Sequence, residues 1–140
     1  MILYLLPFDR VGDFELNAPI ARYSSKFEFE FSNDEYNTGW VAYQLSSLGI
    51  TLYVDKLLEI IVSLSCWKEC IYKGRNIIGM SVDEFILHTD TDHLEEPDSL
   101  DFENDNIPQL VYEFEDLGLQ VWTKNGIIVT VIVSNDSEIY

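Results

Sequence analysis

Apolar and polar residues alternate along much of this chain, and the alternation recurs. Sliding the sequence on itself by 69 positions lays Tyr43-Gln44-Leu45-Ser46-Ser47-Leu48-Gly49-Ile50-Thr51-Leu52-Tyr53 on Tyr112-Glu113-Phe114-Glu115-Asp116-Leu117-Gly118-Leu119-Gln120-Val121-Trp122. The same offset, without a gap, carries 58–65 onto 127–134. A period of two is the signature of half-buried strands. The pattern predicts a short strand at 41–45 or 110–114, a turn at Leu-Gly, and a second strand at 50–54 or 119–123. A long third strand follows at 57–65 or 127–134. Asn125-Gly126 is a strong hairpin signal, and in the first copy Asp55-Lys56 does this job with weaker chemistry. Phe27-Glu28-Phe29-Glu30-Phe31 alternates strictly and predicts a further strand, its phenylalanines facing the core.

A second match, offset by 62, relates Val11–Ile20 to Lys73–Val82. In the later copy Ser81-Val82-Asp83-Glu84 reads as a capping box opening a helix through about His88. In the earlier copy Asn17 is the expected cap and Pro19 a first-turn residue, for a helix through about Ser25. The fold expected is α+β: a tandem repeat of a short helix plus an antiparallel three-stranded meander. The copies span about 1–68 and 69–140 of one domain (1–140) and form one continuous sheet over a shared core, since neither half covers its own apolar face.

Composition changes the picture through charge. The 140 residues are 47% hydrophobic and 14% aromatic, enough to build a core. They hold 8 Lys+Arg against 25 Asp+Glu, a net charge of −17. Such a chain repels phosphate backbones and anionic lipid, so neither nucleic acid nor a membrane surface is an expected partner, and a cationic protein is. The apolar start, Met1–Leu6, lacks a basic flank and is cut short by Pro7 and Asp9, so neither a signal peptide nor a membrane span is expected. With two cysteines and no disulfide framework, a cytoplasmic location is the expectation.

Between Arg75 and Lys124 lie 48 residues without a single Lys or Arg, carrying 13 acids. The densest part, 89–106, reads as a loop. It supplies the candidate partner-binding residues Asp90, Asp92, Glu95, Glu96, Asp98, Asp101, Phe102, Glu103 and Asp105. The alternative is a solvated connection that only keeps the protein soluble. Trp40, after Asn37-Thr38-Gly39, is either folded under or an interface anchor.

Other chemistry is thinly represented. Cys66, Cys70, His88 and His93 have loose zinc-ligand spacing, but a strand end, a turn and the Ser81 helix fall between the pairs, so no metal site is assigned. Asp90 and Asp92 before Glu95-Glu96 lack the glycine and ligand spacing of a calcium loop. There is no nucleophile elbow, redox Cys-x-x-Cys or phosphate-binding glycine loop. No catalytic residue and no cofactor is expected.

Lys73-Gly74-Arg75-Asn76-Ile77-Ile78-Gly79-Met80-Ser81-Val82-Asp83-Glu84-Phe85 and Leu117-Gly118-Leu119-Gln120-Val121-Trp122-Thr123-Lys124-Asn125-Gly126 are set among the strands described above. With this setting the chain resembles small cytosolic immunity proteins of bacterial contact-dependent inhibition and related polymorphic-toxin systems. The expected duplication is also similar to the architecture of the β-lactamase inhibitory protein. Both resemblances imply a protein that inhibits a partner by docking on it. The expected function is an immunity protein that neutralises a cationic toxin domain, a nuclease fitting the charge best. A small acidic enzyme, a small-ligand-binding protein and a DNA-mimic inhibitor are the alternatives.

Overall fold

The computed structural model describes residues 1–33, 38–91, 98–100 and 109–134. Three two-residue strands, β1 (Leu5–Leu6), β2 (Arg10–Val11) and β3 (Phe14–Glu15), open the chain as a small antiparallel sheet. A single helical turn, α1 (Ala21–Ser24), leads to β4 (Glu30–Ser32), β5 (Trp40–Leu45), β6 (Ile50–Asp55) and β7 (Ile61–Cys66). A hairpin of β8 (Ile71–Tyr72) and β9 (Arg75–Asn76) precedes α2 (Val82–Thr89). Then come β10 (Asp98–Leu100), β11 (Gln109–Phe114), β12 (Leu119–Lys124) and β13 (Ile127–Ser134).

The α+β tandem repeat expected from the sequence is not what forms. The chain is predominantly β, with two short helices, one large antiparallel sheet and two small ones. The large sheet has eight strands in the order β10-β11-β12-β13-β7-β6-β5-β4. The first helix fails as half of a repeat for a non-local reason. Asn17 does not cap it; its φ is 67° and its N–H donates to the Ile61 carbonyl. Pro19 bridges Ile60 and the Ile20 N–H donates to the Glu59 carbonyl, so 17–20 is tied to the approach to β7. Only four residues remain helical, behind Ile20, which offers no side-chain cap. Around α2 the capping box does form: Ser81 Oγ accepts the Glu84 N–H at 3.1 Å, and Glu84 Oε1 accepts the Ser81 N–H at 3.4 Å.

The third strand also departs from the expected alignment. Asp55 Oδ1 accepts the N–H groups of both Leu57 and Leu58, at 2.9 and 2.8 Å, and Glu59 takes φ 56°. This turn leaves Leu57 and Leu58 in solvent, 90% and 69% exposed, so the strand starts at Ile61. Asn125 and Gly126, with φ of 55° and 76°, make instead the two-residue turn whose twist suits a hairpin. Beyond the turns both meanders keep one register, with a shift after Tyr53 in one and after Trp122 in the other. β7 pairs β13 through Cys66↔Val131 to Ser63↔Ser134, which joins them.

Every second residue faces a single core. Ile50, Leu52, Val54, Leu64, Cys66, Phe114, Leu119, Val121, Val131 and Val133 from the large sheet share one cluster with Leu3, Leu5, Phe14, Tyr23 and Phe85. Both helices and the first small sheet therefore cover the same side of the large sheet. The side chain of Phe14 lies 5.1 Å from Tyr23 and 5.3 Å from Phe27, centroid to centroid. Of the three phenylalanines expected in the core, Phe27 and Phe29 pack against it, but Phe31 is 52% exposed.

Candidate functional site

The other side of the large sheet carries the features that need explaining. Since strand residues alternate sides, burying Ile50, Leu52 and Val54 turns Thr51 and Tyr53 the opposite way. The same parity places Trp40, Ala42 and Gln44 of β5 there, with Ser63 and Ser65 of β7. From the remaining strands come Ile132 and Ser134, Gln120 and Trp122, and Val111 and Glu113. None of these belongs to the core cluster or packs against it. The buried apolar residues of the described helices and of the first small sheet all belong to the cluster on the opposite side.

One cross-strand row spans seven strands: Glu30, Gln44, Thr51, Ser65, Ile132, Gln120, Glu113. At about 4.8 Å per strand its terminal glutamates lie roughly 29 Å apart along the sheet. Each is held by neighbours on its own side. Gln120 Nε2 donates to Glu113 Oε1 at 3.2 Å, and Trp122 Nε1 donates to Gln120 Oε1 at 3.5 Å. At the other end Gln44 Nε2 donates to Ser46 Oγ at 3.0 Å, and Ser46 Oγ donates to Glu30 Oε1 at 2.7 Å. Between the ends lie small hydroxyl side chains: Thr51, Ser63, Ser65 and Ser134. Larger half-buried ones, Trp40, Tyr53, Ile132 and Trp122, flank them. Burial pushes the Tyr53 phenol above its usual value, partly opposed by its hydrogen bond with Ser65.

Of the residues singled out from the sequence, Trp40 lies on this face, half-buried, its N–H donating to Thr38 Oγ1 at 3.2 Å. Asp90 does not: it ends α2 in the left-handed conformation, at φ 56°, with its N–H on the Ile86 carbonyl. Asp98 begins β10, paired with Val111, so the acidic segment supplies an edge strand to the large sheet. Asp92, Glu95, Glu96, Asp101, Phe102, Glu103 and Asp105 lie outside the described residues. Glu30, Gln44, Tyr53, Glu113, Gln120 and Trp122 were not anticipated as site residues. The parity of Ile50-Leu52-Val54 and Leu119-Val121 was the signal that placed the intervening residues together.

The thiols sit on the core side. Cys66 and Cys70 are both free and fully buried. The hydrogen bond to Cys66, burial, and the charges of Cys66 and Glu69 push the Cys70 thiol well up. His88 Nε2 lies 2.7 Å from the Tyr72 carbonyl oxygen, and His93 lies outside the described residues. Among the described residues no three His, Cys, Asp or Glu side chains converge on a metal position. A raised thiol pKa makes the folded state hold its proton longer than the unfolded one. The stability this contributes is complete below the unfolded value of about 8.5 and is lost as pH climbs above it. The urea midpoint is therefore expected to fall between pH 8 and 10, and Cys70→Ala to flatten that slope. A slope unchanged by the substitution would refute this origin. Both thiols are expected to react with a disulfide reagent only on unfolding.

None of the described helices is long and apolar enough to cross a membrane. No protein-family model, curated protein or solved structure matches the chain.

Proposed function

We propose that this protein is an inhibitor of the immunity type, which binds a cationic toxin domain and blocks its active site or the approach to it. The observation that carries this reading is charge: −17 in 140 residues, with 13 acids in one stretch free of Lys and Arg. A nuclease fits best as the target, because an enzyme that holds phosphate needs a basic cleft, and an acidic protein competes for it. The half-buried aromatics on the sheet face opposite the core supply the packed contacts that such a complex needs for slow dissociation.

The test is inhibition of purified basic nuclease toxin domains by the full chain, with association measured at low and high salt. Steering raises association rates by about ten- to a thousand-fold and is screened by salt. Neutralising Glu95, Glu96, Asp98, Asp101, Glu103 and Asp105 together is expected to remove most of that gain while leaving the fold intact. Toxin domains that stay active at saturating inhibitor would refute the reading. An unchanged association rate at low salt would reduce the acidic segment to a solubility device.

A further inference from the structure

We propose that the face of the large sheet opposite the core is the docking surface itself, and that it takes an arginine-bearing surface of the cationic partner. This rests on the reading above and adds where, and by what chemistry, the partner is held.

A sheet face left to water normally carries polar side chains. This one carries Trp40, Tyr53, Trp122 and Ile132, half-buried and outside the core cluster. Aromatic residues at the centre with charged residues at the rim is the anatomy of a protein interface. Here the rim charges are Glu30 and Glu113, at the two ends of one row.

Charge complementarity selects the occupant. A second copy of a chain at −17 is repelled, as is any polyanion. Among cations, the guanidinium matches the face better than an ammonium. Its plane stacks on indole and phenol rings, and its fork of N–H donors pairs with a carboxylate. Both requirements meet at the Glu113 end of the row. Trp122, Gln120 and Glu113 form one connected set, with Trp122 and Glu113 both hydrogen-bonded to Gln120. At the other end Glu30 is fixed through Ser46, opposite Gln44 and about 13 Å along β5 from Trp40, so carboxylate and indole there take separate groups of the partner. The glutamine and serine bonds hold the carboxylates in place before a partner arrives, which reduces the ordering cost of binding.

The experiment titrates the ¹⁵N-labelled full chain with hexa-arginine and hexa-lysine peptides at equal ionic strength. The indole N–H signals of Trp40 and Trp122 are expected to shift with hexa-arginine. Trp40→Ala and Trp122→Ala should each weaken hexa-arginine by about five-fold, the scale of one solvent-exposed stacking contact, and hexa-lysine by less. Trp122→Phe, which keeps an aromatic face, should restore most of the affinity and shows that the alanine effect is not misfolding. Equal affinity for the two peptides, or wild-type binding by both alanine variants, would overturn the docking face. The same variants against a neutralised toxin domain separate the two proposals. Inhibition that survives both alanine substitutions overturns the face and leaves the inhibitor reading. Peptide binding as expected with no toxin inhibition overturns the inhibitor reading and leaves the face.

Discussion

Replacing Phe114 with alanine is expected to cost about 3–5 kcal/mol of stability, a third or more of what a domain of this size usually has. Phe114 ends β11 on the core side, fully buried, with its ring centroid 4.8 Å from that of Phe85. Phe85 and Thr89 are the only fully buried residues of α2, so the pair is the main fastening of that helix to the sheet. Truncation removes the ring's apolar contacts and leaves a cavity that a sheet anchored on both sides cannot close. Phe85→Ala should cost nearly as much. The two losses should not add, since each removes the same contact. Leu87→Ala, at a helix position 84% exposed, should change stability by less than about 0.5 kcal/mol. Urea unfolding of the three single variants and of the Phe85/Phe114 double variant checks this, and a Phe114→Ala loss below about 1 kcal/mol would mean that α2 is held by something else.

Gly118→Ala is expected to cost about 2–5 kcal/mol, and Gly49→Ala markedly less, although the two glycines occupy matching places in the meanders. Both have left-handed backbones, with φ of 69° at Gly49 and 62° at Gly118, so alanine pays about 1–2 kcal/mol of strain at either. What differs is the neighbour. A Cβ at Gly118 would lie 2.6 Å from the Ser134 carbonyl oxygen and 2.6 Å from the Phe8 ring. Ser134 is β-strand backbone and cannot yield, which adds about 1–3 kcal/mol of overpacking. At Gly49 the nearest atoms, at 2.5 Å and beyond, all belong to the Lys68 side chain, which can swing away. Thermal unfolding of the two single variants decides it. Equal losses would show that backbone strain alone sets the cost.

Much of the large sheet was legible in the sequence because alternation is a local signal. The strands expected at 41–45, 50–54, 110–114, 119–123 and 127–134 form at Trp40–Leu45, Ile50–Asp55, Gln109–Phe114, Leu119–Lys124 and Ile127–Ser134. The misreadings came where a distant contact or a side chain overrode the local pattern. Leu57 and Leu58 look like the start of a strand, yet the Asp55 carboxylate folds them into a turn. Asn17 and Pro19 look like a helix start, yet pairing with Ile60 and Ile61 keeps them out of the helix. The two-residue strands β1, β2, β3, β8 and β9 are too short to show any period. The site followed the same division. Trp40 stood out as a large aromatic beside a loop, whereas Glu30 and Glu113 become one row only when seven strands are in register.

The seam between β7 and β13 also sets the order in which the protein can be built. Every residue of β7 is buried, but one of its two edges finds its partner only in the last described strand. While the chain is being synthesised, the first half must wait with that edge unpaired and with Leu64 and Cys66 short of their β13 neighbours, Val133 and Val131. Pairings between residues so far apart in sequence form slowly, and an open apolar edge is a template for other nascent chains. The strong negative charge acts in that interval as well: it keeps unfinished copies of the protein apart.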